Sequence, residues 1–189
     1  MPSQDLLPFT SSEFAYTASP NPEWKIGQRI DQTAEGRKWM EGEKMGWKTV
    51  DPTTEEPSKM HFLLVSGIGP RPVAFVSSIS DSGVENLAPF SWFNQVASFP
   101  PVISVSCAHG VDTIKNVRSG RGFTVNIISE PWVEQANSCS VNAPRDFSEW
   151  PSSGLTKEAS LYVKPARVRE SAFSMECELT SAAAAATNG

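Results

Sequence analysis

The sequence predicts a mainly β domain, an antiparallel barrel with short helices outside it. Three observations predict this. Short runs rich in β-branched and aromatic residues, RPVAFVSSIS at 71–80, VISVSCA at 102–108 and GFTVNII at 122–128, are bounded by Gly, Pro and Asp turn signals. The turn SDSG at 80–83 joins the first run to NLAPFSWFN at 86–94 as a hairpin. No strand–helix alternation of the βαβ kind and no internal repeat occurs.

Residues 1–57 read as an irregular arm, with Pro2, Pro8, Pro20 and Pro22 among many Ser and Thr. Trp24, Trp39 and Trp47 suggest that this arm packs on something, a partner subunit included. A short helix starts at Pro57 or Ser58, runs through Met60, Leu63 and Leu64, and ends at Gly67. The strand 71–80 follows. In NLAPFSWFN, Pro89 lacks a ladder donor and is expected to free the strand where a ligand edge could approach. After the strand VISVSCA, Asp112 reads as the N-cap of the helix TIKNVRS, stopped by Gly120. The strand 122–128 leads to a helix over 130–137 begun by Pro131. Residues 138–159 read as loop. SLYVKPARV and AFSMECELT read as two more strands, and 181–189 as a low-complexity tail.

The 189 residues suit one domain, and 39% apolar with 20% charged residues is ordinary for a soluble globular protein. The net charge of −5 argues against nucleic acid or an anionic membrane as a partner. Cys107, Cys139 and Cys177 are odd in number and far apart, which argues against a disulfide framework and against a metal site. Reduced thiols, no signal-peptide pattern and no long apolar run suggest a cytoplasmic protein.

GxSxG, HExxH and Walker motifs are absent. In SGIGPRP the final glycine of GxGxxG is replaced by Pro72, which disfavours a Rossmann site. Cys107 and His109 could suggest a nucleophile pair, against the simpler reading of a structural cysteine; no catalytic residue is assigned. Small hydroxyls and polar turns gather on three neighbouring segments: Ser77 and Ser78, then Asn86 to Ser91, then Ser106 with Asp112 and Thr113. Hydroxyls and free amides at a helix N-terminus suit a phosphate.

The order of these segments resembles the flavin reductase-like family, the FMN-binding split β-barrels. The resemblance rests on PRPVAFVSSISDSGVENLAPFSWFNQVASFPPVISVS, then DTIKN, then GFTVNIISE, with AN at 136–137, SEWPSSGLT at 148–156 and VKPARVRESAFSMECEL at 163–179. It covers about residues 58–179. It implies a six-stranded antiparallel split barrel over 58–180 and a homodimer with FMN at the subunit interface. By the same resemblance, Ser77, Ser78 and Ser91 would face the ribityl phosphate, and Asn86, Leu87, Ala88 and Pro89 the isoalloxazine edge. Ser106, Cys107 and Ala108 would lie beside the ring, and Asp112 and Thr113 in the phosphate loop. It also implies NAD(P)H as the reductant of an FMN-dependent oxidoreductase. The alternatives are a flavin-binding electron carrier without reductase turnover, or an inactive truncated product. Two departures stand out. Val111 replaces the family's Lys before DT, leaving Arg71, Lys115 and Arg118 as substitute cations. The family's further barrel strands do not follow Leu179, so a chain truncated at its C-terminus is expected.

Overall fold

Strand β1, Ala74–Ile79, is the buried centre of the domain. The structure, a computed structural model, describes residues 22–23, 25–108 and 110–182. The first part of the arm, Trp24, His109 and the end of the tail lie outside the described residues.

β1 pairs antiparallel with β2 (Glu85–Phe90) on one side and β5 (Gly122–Ile127) on the other, and β5 pairs with β8 (Ser174–Glu178). The resulting sheet has the order β2-β1-β5-β8. Alternate residues of a strand face opposite sides, and both faces of β1 are apolar. Phe75 joins Leu87, Trp132, Ala136 and Trp150 in one core, while Ala74 and Val76 join Val125 in the other, against Phe93, Ile103 and Val105. The last three belong to β3 (Trp92–Ser98) and β4 (Pro101–Ser106), a separate two-stranded sheet. A third, β6 (Lys157–Glu158) with β7 (Arg167–Val168), completes eight strands among the described residues.

The hairpin turn forms as expected. Gly83 takes φ 83°, where a side chain is disfavoured, and donates its N–H to Ser80 O at 2.9 Å. NLAPFSWFN, however, is not one strand. Pro89 stays in register opposite Phe75, and the chain leaves the sheet at Ser91. Proline is tolerated because β2 is an edge strand.

The helices are α1 (Ala34–Met40), α2 (Pro57–Gly67), α3 (Asp112–Gly120), α4 (Val133–Ser138) and α5 (Glu149–Ser153). Short 3₁₀ turns flank α1 at Ile30–Gln32 and Glu41–Met45, and another, Glu130–Trp132, precedes α4. The described residues fall into two compact units, divided between Met60 and His61. Within the first, Thr33 Oγ1 caps α1 by accepting the Gly36 N–H at 3.0 Å. A Cβ at Gly36 would fall 1.7 Å from Ile30 O, so only glycine fits there. Trp39 and Trp47 are exposed.

Four further readings of the second unit are corrected. The N-cap of α3 is Val111, and Asp112 is the first helical residue, paired instead with side chains of Lys115 and Arg145. Gly120 remains helical, and Arg121 takes the left-handed position at φ 60°, held by Arg121 Nη2 donating to Leu179 O at 2.6 Å. In SLYVKPARV only Arg167–Val168 is strand. Pro165 cannot donate to a ladder, and the Glu176 carboxylate accepts the backbone N–H groups of Leu161 and Tyr162. α5 also lies within a stretch that reads as loop; Pro151 is tolerated in its first turn, where helix N–H groups lack partners anyway.

Candidate functional site

A cleft of about 290 Å³ opens along the outer edge of β2, near the lower end of small-ligand pockets, roughly 300–1,000 Å³. Asn86 to Phe90 supply one side, less Leu87. The first turn of α3 supplies a second, and the loop 139–147 with Glu149 a third.

Behind the β2 wall lies a hydrogen-bonded polar network. Glu149, 5% exposed, accepts at Oε2 from Asn86 Nδ2 and from the Leu87 N–H, both at 3.0 Å. Asn86 Oδ1 accepts from Thr113 Oγ1 at 2.6 Å and from Ser78 Oγ at 3.4 Å. Asn116 Nδ2 donates to Ser78 Oγ at 3.2 Å. Asn116 is itself buried and forms part of the cleft wall, and its Oδ1 has no hydrogen-bond partner. Such an orphan is uncommon in a folded interior, and a ligand donor is one way to satisfy it.

The rim is charged. Asp112 Oδ1 lies 3.1 Å from Lys115 Nζ and 3.6 Å from Arg145 Nη1. Val111 offers no side-chain cap, and the first amides of a helix have no intrahelical acceptors. The partial positive charge of the helix end therefore faces the cleft.

Of the residues singled out from sequence, Asn86, Ala88, Pro89, Asp112 and Thr113 line the cleft. Ser78 stands behind its wall. Leu87 turns its side chain into the core, while its amide serves Glu149. Ser77 is buried in β1, its hydroxyl without a partner. Ser91 is exposed between β2 and β3. Ser106 ends β4 opposite Trp92, and Cys107 and Ala108 follow; none of the three lines the cleft. Among the candidate cations, Lys115 reaches the rim through Asp112, while Arg71 and Arg118 are not part of the lining.

Asn116, Arg145 and Glu149 escaped the sequence reading. Asn116 was within reach, because it stands three residues after Thr113 on the same helix face. Glu149 lies in the SEWPSSGLT stretch that carries part of the resemblance, with no role read for it, and Arg145 belongs to a segment with no periodicity to read.

The surroundings of the three thiols do not activate them, and the Cys107–His109 pairing lies partly outside the described residues. Burial pushes the Cys139 and Cys177 thiols up to about 11. Burial also raises Cys107, with the Arg118 charge opposing it. A protonated thiol is a poor nucleophile. Among the described residues, no group of three or more His, Cys, Asp or Glu is placed to hold a metal, and no helix is long and apolar enough to cross a membrane.

The mainly β scaffold with short peripheral helices and a cleft at a sheet edge fits a split-barrel domain. The family model for the flavin reductase like domain matches residues 67–188, and the chain belongs to this family. An uncharacterized protein of Aquifex aeolicus is 38% identical over 125 residues, which cover 64% of this chain. The match also spans 64% of that protein, a little under two thirds of its length. The crystal structure of nitrilotriacetate monooxygenase component B from Bacillus cereus superposes with a TM-score of 0.68 at 35% identity, covering 72% of this chain and 69% of that one. A split-barrel-domain protein of Shewanella frigidimarina shares the fold at a TM-score of 0.62 and 21% identity, covering 71% of this chain and 70% of that one.

Proposed function

We propose that this chain is an FMN-binding, flavin reductase-like oxidoreductase that uses NAD(P)H, with the cleft beside β2 as its flavin site. The observation that carries the reading is the joining of an apolar strand edge and an uncapped helix N-terminus at one cleft, with the buried, unpaired Asn116 Oδ1 behind its wall. These residues fit the cofactor. The first-turn amides of α3, with Arg145 and Lys115, would hold the phosphate, their charge offsetting that of Asp112. Thr113 would border the ribityl chain, and Ala88 with Pro89 would offer an apolar surface to the ring. The bound cofactor supplies the redox chemistry, two-electron uptake from NAD(P)H as hydride. This is why no acid–base dyad is required of the protein. Arg145 takes the role that Val111 vacates, and neither Arg71 nor Arg118 is needed for it.

Two remaining parts of the reading follow the family resemblance, a tryptophan-bearing arm before residue 58 and a homodimer, and a cytoplasmic location follows from the unpaired cysteines and the N-terminal sequence. Light scattering on the purified chain checks the dimer.

Titration with FMN, followed by quenching of flavin fluorescence, tests the site. Saturable uptake in the micromolar range and FMN-stimulated NAD(P)H oxidation are expected. No uptake at high micromolar FMN would sink the reading. Uptake without NAD(P)H oxidation would instead identify an electron carrier.

A further inference from the structure

We propose that Glu149 is a positioning residue that sets the hydrogen-bond polarity of the cleft wall. This rests on the cleft being the flavin site. Glu149 is buried, and it takes part in none of the ion pairs among the described residues. Its Oε2 accepts two N–H groups of the same edge strand, Asn86 Nδ2 and Leu87 N. A carboxylate oxygen used this way fixes which end of the Asn86 amide faces it.

The consequence runs through the wall. With Nδ2 committed to Glu149, Asn86 must present Oδ1 to Thr113 and Ser78, and both hydroxyls donate to it. Ser78 Oγ, its hydrogen spent, then accepts from Asn116 Nδ2. That leaves Asn116 Oδ1 as the unpaired atom at the end of the chain. Reversing Asn86 would set its NH₂ against the Thr113 and Ser78 hydroxyls and turn their hydrogens elsewhere. Asn116 would then have no reason to hold its acceptor free. Glu149 thus fixes the donor and acceptor order of this wall and leaves its spare acceptor, the buried Asn116 Oδ1, just behind the cleft surface.

The test measures FMN affinity and the visible band of bound flavin in the wild-type chain, Glu149→Gln, Glu149→Ala, Asn86→Ala and the Glu149→Ala/Asn86→Ala double variant, with a thermal melt of each. Glu149→Ala is expected to weaken FMN about tenfold and to alter the band, on the scale of one or two hydrogen bonds lost. Glu149→Gln keeps an acceptor oxygen and should recover most of that loss. If Glu149 acts through Asn86, the double variant binds no worse than the weaker single one. Wild-type binding with an unchanged Glu149→Ala overturns the proposal alone, as do additive losses in folded variants. Failure of the wild-type chain to bind FMN overturns the flavin site and this proposal together. Should Glu149→Ala not fold, the Glu149→Gln and Asn86→Ala arms decide: Gln falling as far as Asn86→Ala contradicts the proposal.

Discussion

Two buried asparagines, one in the sheet and one on helix α3, do different work. Asn126 in β5 donates from Nδ2 to Phe75 O and to Thr124 Oγ1, both at 3.1 Å. Its Oδ1 accepts from Val168 N at 3.0 Å and Ser174 Oγ at 2.8 Å. The amide is saturated, and it ties β1, β7 and β8 to β5. Asn116 in α3 is just as buried, yet it makes one side-chain bond and leaves Oδ1 unpaired beside the cleft. A fully satisfied polar network stiffens a scaffold, whereas a partly satisfied one carries a cost that a ligand can relieve. The difference separates an amide that holds the fold from one that keeps a spare acceptor.

The largest effect should come from breaking the saturated member. Asn126→Leu strands several buried partners at once, and at about 1–3 kcal/mol for each unsatisfied group the loss should be at least about 3 kcal/mol. Melting should then occur roughly 6–12 °C lower, at about 2–4 °C per kcal/mol for this chain length. Asn116→Ala should reverse the balance. Its melt should fall by less than half as much, while FMN affinity drops about threefold to tenfold, as expected for one net hydrogen bond. Equal stability losses in the two variants would erase the distinction.

Arg145→Gln should weaken FMN about twofold to fivefold at low salt and leave riboflavin unaffected, since an exposed ion pair contributes only about 0.2–1 kcal/mol. The gap should narrow as salt rises. Binding of FMN and riboflavin compared at two ionic strengths checks this.

The smallest effect belongs to Glu176, a carboxylate that serves backbone amides far from the cleft. The Leu161 N–H leads in holding it below its ordinary value of 4.5, with Tyr162, Val163 and Arg167 assisting against the cost of burial. A depressed carboxylate contributes stability that is fully present above its unfolded value and is lost as pH falls through the lower folded value. Wild type should therefore melt slightly higher than Glu176→Gln near neutral pH, and the difference should shrink as pH drops below about 4.5. A difference that grows on acidification would contradict this account of the 159–166 loop.

The parts of this architecture legible in the sequence are those set by local chemistry. β1 and β5 announce themselves through β-branched runs, the 80–83 turn through its glycine, and α2 through Pro57 and Gly67. The break at Ser91 is not legible, because NLAPFSWFN keeps its strand character throughout; only tertiary pairing sends one half to β1 and the other to β4. SLYVKPARV misleads for a related reason. Its backbone donors are met by the side chain of Glu176, fifteen residues from Leu161, and no periodicity records that. The cleft divides in the same way. Asn86, Ala88, Pro89, Asp112 and Thr113 come from segments with recognisable order, whereas Arg145 and Glu149 arrive through a loop whose path depends on the finished core.

The proposed flavin site is the cleft between β2, α3 and the 139–147 loop. Amide chemical shifts of the labelled protein, followed as FMN is added, test it most directly. Saturable shifts at Asn86, Ala88, Thr113 and Asn116, with Asn126, Val168 and Ser174 unmoved, are the predicted result. Saturable shifts centred on another surface, or none at all, would contradict it.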